Sequence, residues 1–270
     1  MDNLMKNKKG VIMGVANERS IAWGIAKKLY QHGAELIFTY QTENLKKRIV
    51  PLTNSIGCKE IYQCDVYDDK DHELSIENVF LKIKKKSPNI DFVVHALAFS
   101  DKDELKGKYI ETSRDNFLKT LDISTFSFTR IAKASSELMT KKGGNLLTLS
   151  YIGANRTTPN YNVMGVAKAA LETSVKYLAM DLGPKNIKVN AISAGPMKTL
   201  AGAAIAGARH VFRFSEKMAP LNNNPNLDQV GNAALYLLSD MSSGVSGEIH
   251  YVDGGFHLIG IPDQRKMEEN

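Results

Sequence analysis

The 270 residues include only two cysteines and one tryptophan, and no apolar run reaches the length of about 18 needed to cross a bilayer as a helix. The amino-terminal MDNLMKNKKG lacks the apolar stretch of a signal peptide, so a cytoplasmic protein without membrane contact is expected. Cys58 and Cys64 have neither the paired spacing of a zinc site nor the C-x-x-C of a redox motif. Reduced structural thiols and no metal are expected. Lysine and arginine outnumber aspartate and glutamate by 35 to 29. They are scattered, however, as Lys6, Lys8 and Lys9, as Lys46, Lys47 and Arg48, and within LKIKKK at 81–86. Solvated helix faces explain them better than a nucleic-acid stripe, and no nucleic-acid partner is expected. No Pro/Ser/Gly-rich linker divides the chain, so residues 1–270 are read as one domain.

What is present is an alternation of short apolar runs with longer amphipathic stretches. GVIMG at 10–14 is followed by IAWGIAKKLYQHG at 21–33, and ELIFTY at 35–40 by a charged segment to Ser55. Strands are then expected in KEIYQCDV (59–66), IDFVVHALA (90–98), NLLTLS (145–150), IKVNAIS (187–193) and near 248–252. Helices are expected near 70–87, 112–140, 161–183 and 228–239. This order predicts an α/β fold, a Rossmann-type doubly wound parallel sheet of about seven strands. Residues 196–226 break the rhythm with a connection too long for an ordinary loop, and are read as a helical substrate lid.

The first strand ends at Gly14 and meets a helix start through VANERSIAWG, where unpaired N–H groups and the positive dipole end suit a pyrophosphate. Gly14, Ala16, Ser20, Ile21 and Gly24 replace the usual G-x-G-x-x-G, with Ser20 placed to cap the helix or donate to phosphate. Gln41 ends the second strand, where an adenosine ribose should lie; a neutral side chain there favours NADH over NADPH, although Lys46 and Lys47 follow closely. Asp65 and Val66 end the third strand, where a carboxylate can accept from the adenine amino group or simply make a turn. His95-Ala96-Leu97-Ala98 ends the fourth with mostly small side chains.

Tyr161 and Lys168 are seven apart on the expected helix, about 20° short of two turns and about 10.5 Å along the axis, so they share a face. A lysine there can hold nicotinamide ribose hydroxyls and favour hydrogen-bond donation by the tyrosine. This constellation resembles the enoyl-[acyl-carrier-protein] reductases of the divergent short-chain dehydrogenase/reductase group. The matching pieces are GVANERSIAWGIA (14–26), FTYQ (38–41), CDV (64–66), SYIGANRTTPNYNVMGVAKAALE (150–172), LGPKNIKVNAISAGPMKTLA (182–201) and HYVDGGFH (250–257). Ordinary members of the wider group carry Tyr-x3-Lys, whereas Gly165 stands at that lysine position here.

The resemblance implies that NADH is held by Gly14, Ser20, Ile21, Gln41, Asp65, Val66, Leu97 and Lys168, with Met197 and Thr199 from the GPMKT turn near the nicotinamide and pyrophosphate. It implies active-site roles for Tyr151 and Tyr161, and substrate contact at Ser100 as well as at both tyrosines. It further implies an acyl carrier protein bearing the enoyl chain as partner, and a homotetramer. In the lid, Ala201, Ala203, Ala204, Ile205 and Phe212 would face a fatty chain, while Arg209, Arg213 and Lys217 would meet the acidic carrier. Two alternatives stay open: a carbonyl-reducing short-chain dehydrogenase in which Ser150 assists Tyr161, and a dinucleotide-binding regulator without catalysis.

Overall fold

The computed structural model describes residues 3–68, 72–139, 142–203, 206–263 and 265–266, with the side chains of 201 and 203 left out. Seven strands form one parallel sheet: β1 (Lys9–Met13), β2 (Glu35–Tyr40), β3 (Ile61–Gln63), β4 (Phe92–His95), β5 (Gly144–Ser150), β6 (Ile187–Ala194) and β7 (Ile249–Val252). Their spatial order is β3-β2-β1-β4-β5-β6-β7. The order reverses direction between β1 and β4, and the crevice at the carboxyl ends of that pair is where doubly wound sheets hold ligands. Register places Met13 beside His95, which brings Gly14 against Ala96.

The strands are apolar almost throughout because helices cover both faces. One face is packed by α1 (Ile21–Gln31) and α9 (Leu227–Leu238), whose Trp23, Ile25, Leu29, Val230 and Leu238 join Ile12, Phe38 and Ile192. On the other, Phe80 from α3 (Ile76–Lys86), Phe128 and Ile131 from α5 (Ser127–Ser136), and Leu171 and Val175 from α6 (Asn162–Leu182) pack on Val11, Val93 and Val189. Between β2 and β3 runs α2 (Glu43–Ser55), capped by Thr42. Among the described residues no helix is long and apolar enough to cross a membrane.

Three expected elements are corrected. The third strand covers Ile61–Gln63 rather than 59–66, so Asp65 and Val66 lie in the following turn. The helix expected near 70–87 starts only at Ile76, capped by Ser75. The helix expected over 112–140 is three pieces, α4 (Arg114–Leu121), a π-turn (Asp122–Phe126) and α5. That π-turn sits beneath the end of β4, where Ser124 bonds to the backbone of Phe99 and Ser127 to the ring of His95.

Gly24 also changes role. An ideal Cβ there would stand 2.9 Å from Leu227 Cβ, and one on Gly231 of α9 would stand 3.2 Å from the Gly24 carbonyl oxygen. It serves the close approach of α1 and α9 rather than the phosphate turn.

Candidate active site

Most of the expected residues collect at the carboxyl edge of the sheet. Gly14 adopts φ +99°, and a Cβ on it would fall 2.1 Å from the Ala96 carbonyl oxygen, so only glycine lets β1 turn away so close to β4. Ser20 occupies the N-cap of α1, but its hydroxyl does not cap the helix. Instead Ser20 Oγ accepts from Ala16 N (2.9 Å) and Asn17 N (3.1 Å), bracing the turn that follows Gly14 and keeping its own proton for donation. Ile21 opens the helix and packs on the core below.

Gln41 and Asp65, expected separately, are brought together: Gln41 Nε2 donates to Asp65 Oδ2 at 3.0 Å. Gln63 Nε2 donates back to the Gln41 carbonyl oxygen, and Tyr67 N closes a turn on Asp65 Oδ1. Sequence reasoning missed the clamp that holds this rim. Arg130 of α5 donates to both carboxylate oxygens of Glu77 on α3 (2.7 and 3.0 Å) and to the carbonyls of Val66 and Asp68. No local motif joins residues 66, 77 and 130, so the sequence carries no sign of it. Lys46 is drawn to Glu43 and lies over the Tyr40 ring.

In the segment that follows β4, Leu97 packs against the core, while Ser100 is tied to Asn116 of α4. Met197 also packs on the core, and Thr199 Oγ1 accepts from Gly202 N in α7 (Leu200–Ala203). His95 is fully buried, with Nδ1 2.8 Å from Thr148 Oγ1 and Nε2 2.9 Å from Ser127 Oγ. Burial, and secondarily the charge of Lys168, push its pKa down to about 3, so the ring is neutral.

Tyr161 is the N-cap of α6 rather than a residue inside it. Asn160 (φ 59°) and Asn162 (φ 39°) flank it in left-handed backbone, which asparagine tolerates better than other side chains. Asn160 Nδ2 donates to the Ala206 carbonyl and Asn162 Nδ2 to that of Leu105, fixing the bends. The ring of Tyr161 is 7% exposed and meets Tyr151 edge-on, centroids 5.0 Å apart. Burial, then Tyr151 and Glu172, hold the Tyr161 phenol well above its ordinary pKa, and burial raises Tyr151 too. Both remain donors at neutral pH.

Lys168 is 5% exposed and donates to the Leu149 carbonyl at 2.8 Å. Burial lowers its pKa to about 8, with Glu172 opposing the shift. Gly153, which sequence reasoning passed over, makes room for the tyrosine pair: a Cβ there would lie 2.5 Å from Tyr161 Cδ1 and 3.2 Å from Tyr151 Cδ1. Gly165 in turn lies against the Gly153 carbonyl, where any side chain would collide. Gly153→Ala is therefore expected to displace the Tyr161 ring and lower kcat by about tenfold or more, with a smaller effect on the NADH Kd. Steady-state kinetics beside direct NADH titration checks this; equal losses in both would mean general damage instead.

Of the proposed lid, α7 and α8 (Ala208–Met218) are described. Ala204 and Ile205 lie outside the described residues, as do the side chains of Ala201 and Ala203. Phe212 is half-buried under Lys198, Arg209 and Arg213 are exposed, and Lys217 is half-buried. A surface cavity lined by Lys9, Leu36, Cys58, Glu60 and Lys86 opens at the opposite, amino-terminal edge of the sheet and includes none of these residues.

Comparison with known proteins decides the family. The family model described as enoyl-(acyl carrier protein) reductase matches residues 14–257. The chain belongs to that family. The reductase chain is 55% identical to enoyl-[acyl-carrier-protein] reductase [NADH] 1 of Rhizobium meliloti, over 96% of this chain and 93% of that one. Among solved structures, the enoyl-(acyl-carrier-protein) reductase of Anaplasma phagocytophilum in complex with NAD is 52% identical, with a TM-score of 0.92 over 97% of this chain and 98% of that one. The Bacillus cereus enoyl-acyl carrier protein reductase with NADP+ and indole naphthyridinone is 46% identical, with a TM-score of 0.92 over 97% of this chain and 100% of the other.

Proposed function

We propose that this reductase converts trans-2-enoyl thioesters on acyl carrier protein to the saturated acyl chain with NADH, the reductive step that closes a round of fatty-acid elongation. Family membership over residues 14–257 carries this reading, and the paired Tyr151 and Tyr161 rings beside a buried Lys168 support it in detail. When bound, NADH supplies a hydride, which adds at C3 of the enoyl chain and leaves negative charge on the thioester oxygen.

The residues at the crevice fit such a cofactor. The Gly14 turn and the first turn of α1 would hold the pyrophosphate, Gln41 and Asp65 the adenosine, and Lys168 the nicotinamide ribose. Val66 and Leu97 would border the adenine and nicotinamide ends, and Met197 and Thr199 the nicotinamide and pyrophosphate. Gln41 offers a hydroxyl partner but no charge, which favours NADH; the Bacillus cereus relative with NADP+ shows that the fold can take either.

Tyr161 is assigned to hydrogen-bond the developing enolate oxygen, the largest contribution a fixed donor makes in acyl chemistry. Lys168, one of whose three N–H donors goes to Leu149, keeps the others for the ribose. Tyr151 orients the reacting end of the chain, and Ser100 borders it. A proton from solvent or a side chain completes the product at C2. Residues 196–226 act as lid within the single domain, with Phe212 toward the acyl chain.

Arg209 and Arg213, one turn apart on α8, and Lys217 beyond them are proposed to meet the acidic carrier. Reversing all three to glutamate is expected to raise KM for carrier-bound substrate by about fivefold or more at low salt, with KM for a small crotonyl thioester unchanged. Equal KM values for the carrier substrate would end the docking assignment. A homotetramer belongs to the same proposal, supported by the exposed Tyr177 and Met180 on α6, and light scattering measures it. A cytoplasmic location is part of it as well, testable by fractionation.

The reaction itself is tested by following NADH loss with crotonyl thioester and with a 3-ketoacyl thioester in parallel. Oxidation with the first alone is expected. Oxidation with the second alone would favour the carbonyl-reducing alternative, and binding without turnover the regulator.

A further inference from the structure

Lys168 and Glu172 are both buried, at 5% and 8% exposure, and stand one helical turn apart on α6 with opposite charges. They grip successive residues of β5 rather than each other. Lys168 donates to the Leu149 carbonyl at 2.8 Å, while Glu172 Oε1 accepts from Ser150 Oγ at 2.5 Å. The other carboxylate oxygen, Oε2, accepts from Asn155 Nδ2 at 3.0 Å. Ser150 and Asn155 are the residues on either side of Tyr151 and the short 3-10 turn Ile152–Ala154. One carboxylate therefore closes the loop that carries Tyr151 from both ends, and Asn155 extends the bridge to the Tyr251 hydroxyl on β7 at 3.2 Å.

Resting on the active-site reading above, we propose that Glu172 is a positioning residue for the reduction, holding the Tyr151 loop onto α6 while its buried negative charge balances Lys168. The expense of burying a carboxylate is met by two hydrogen bonds and by the ammonium one turn away. A hydrophobic residue would fill the space more cheaply but would do neither task. Ser150 accordingly serves Glu172 and not Tyr161, which separates this site from the carbonyl-reducing arrangement.

The ionisable groups facing the pair come from four elements. They are His95 at the end of β4, Tyr151 after β5, Tyr161 at the start of α6, and Tyr251 on β7; Asp253, Arg156 and Glu248 act on Tyr251. The tyrosines are all pushed upward and His95 is pushed down to about 3, while burial brings Lys168 down to about 8. Glu172 raises the Lys168 pKa, so removing its charge must make Lys168 lose its proton at lower pH.

The test uses the full-length protein with NADH and crotonyl thioester, with melting temperatures recorded for every variant. Glu172→Gln is expected to move the alkaline limb of NADH binding down by about half a pH unit or more and, because its amide nitrogen cannot accept from Asn155, to lower kcat by about threefold or more. Ser150→Ala and Asn155→Ala each open one end of the loop, and are expected to lower kcat by about threefold or more with the NADH Kd unchanged. Glu172→Asp keeps the charge but shortens the reach, so it should restore the limb without restoring kcat. Wild-type kcat and an unmoved limb in Glu172→Gln, beside a rate collapse in Tyr161→Phe, would overturn the positioning role alone. A lower melting temperature with neither kinetic change would make Glu172 a plain strut and overturn it equally. An undiminished rate in Tyr161→Phe would overturn the site reading and this inference with it.

Discussion

Tyr161→Phe is expected to lower turnover on an enoyl thioester by about 10- to 10³-fold, with the NADH Kd kept within about twofold. The substitution removes one oxygen and leaves the ring, which is held between Tyr151 and Gly153. Burial keeps the hydroxyl protonated far above neutral pH, so it acts as a fixed hydrogen-bond donor rather than as an acid that must be recharged. A loss of that size corresponds to about 1.4–4 kcal/mol of transition-state stabilisation, and its upper part, about 2.7–4 kcal/mol, is the range found when one preorganised donor is deleted. Because the donor acts on charge that appears only as the hydride arrives, kcat should fall and ground-state affinity should not. Unchanged turnover would remove Tyr161 from the donor role.

Gly14→Ala is expected to be the most damaging single methyl group in the cofactor crevice. The left-handed backbone costs an alanine about 1–2 kcal/mol. The added Cβ would also fall 2.1 Å from the Ala96 carbonyl oxygen, a backbone atom that no rotamer change can clear. Overpacking of this kind costs about 1–3 kcal/mol more. For a chain of this size each kcal/mol moves the melting temperature by about 2–4 °C, so a fall of about 4–20 °C is expected. NADH affinity should drop about tenfold or more, since β1 and β4 must part at the crevice. Gly57→Ala is the control, with a similar left-handed φ of +67° but nothing within 4 Å of its Cβ. If both variants lost the same stability and both kept NADH, the close approach at Gly14 would have no importance.

The parallel sheet was legible because its inner strands are buried on both faces and read as apolar runs. The place of Gly14, Gln41 and Asp65 at the carboxyl edge was legible because they follow strands whose ends converge in such a sheet, whereas Lys168, on α6, was read from helical spacing. What escaped is set by contacts between distant residues. The Arg130–Glu77 clamp on the Val66–Asp68 turn joins three segments with no shared motif. The π-turn at Asp122–Phe126 leaves no mark in a helical pattern, because one extra residue only shifts its phase. Ser20 was read as either a cap for α1 or a donor to phosphate, and the N–H groups of Ala16 and Asn17 take the oxygen that the cap would have used.

Tyr161 and Lys168 show the same limit in small. Their spacing pointed to one helix face, and the structure instead sets Tyr161 at the N-cap between two left-handed asparagines. The Asn-Tyr-Asn sequence was the available sign, since asparagine tolerates that backbone. Gly153 and Gly165 were equally visible as residues, but only the fold shows that they face each other beneath the tyrosine ring.

Transfer of the hydride to C3 of an enoyl thioester is tested most directly with NADH carrying deuterium at both C4 positions, offered crotonyl thioester and, in parallel, a 3-ketoacyl thioester in ordinary water. The expected product is butyryl thioester with one deuterium at C3 and a solvent hydrogen at C2, formed one for one with NAD+. Deuterium found only on the carbinol carbon of a reduced 3-ketoacyl thioester, with crotonyl thioester returned unlabelled, would contradict the assignment.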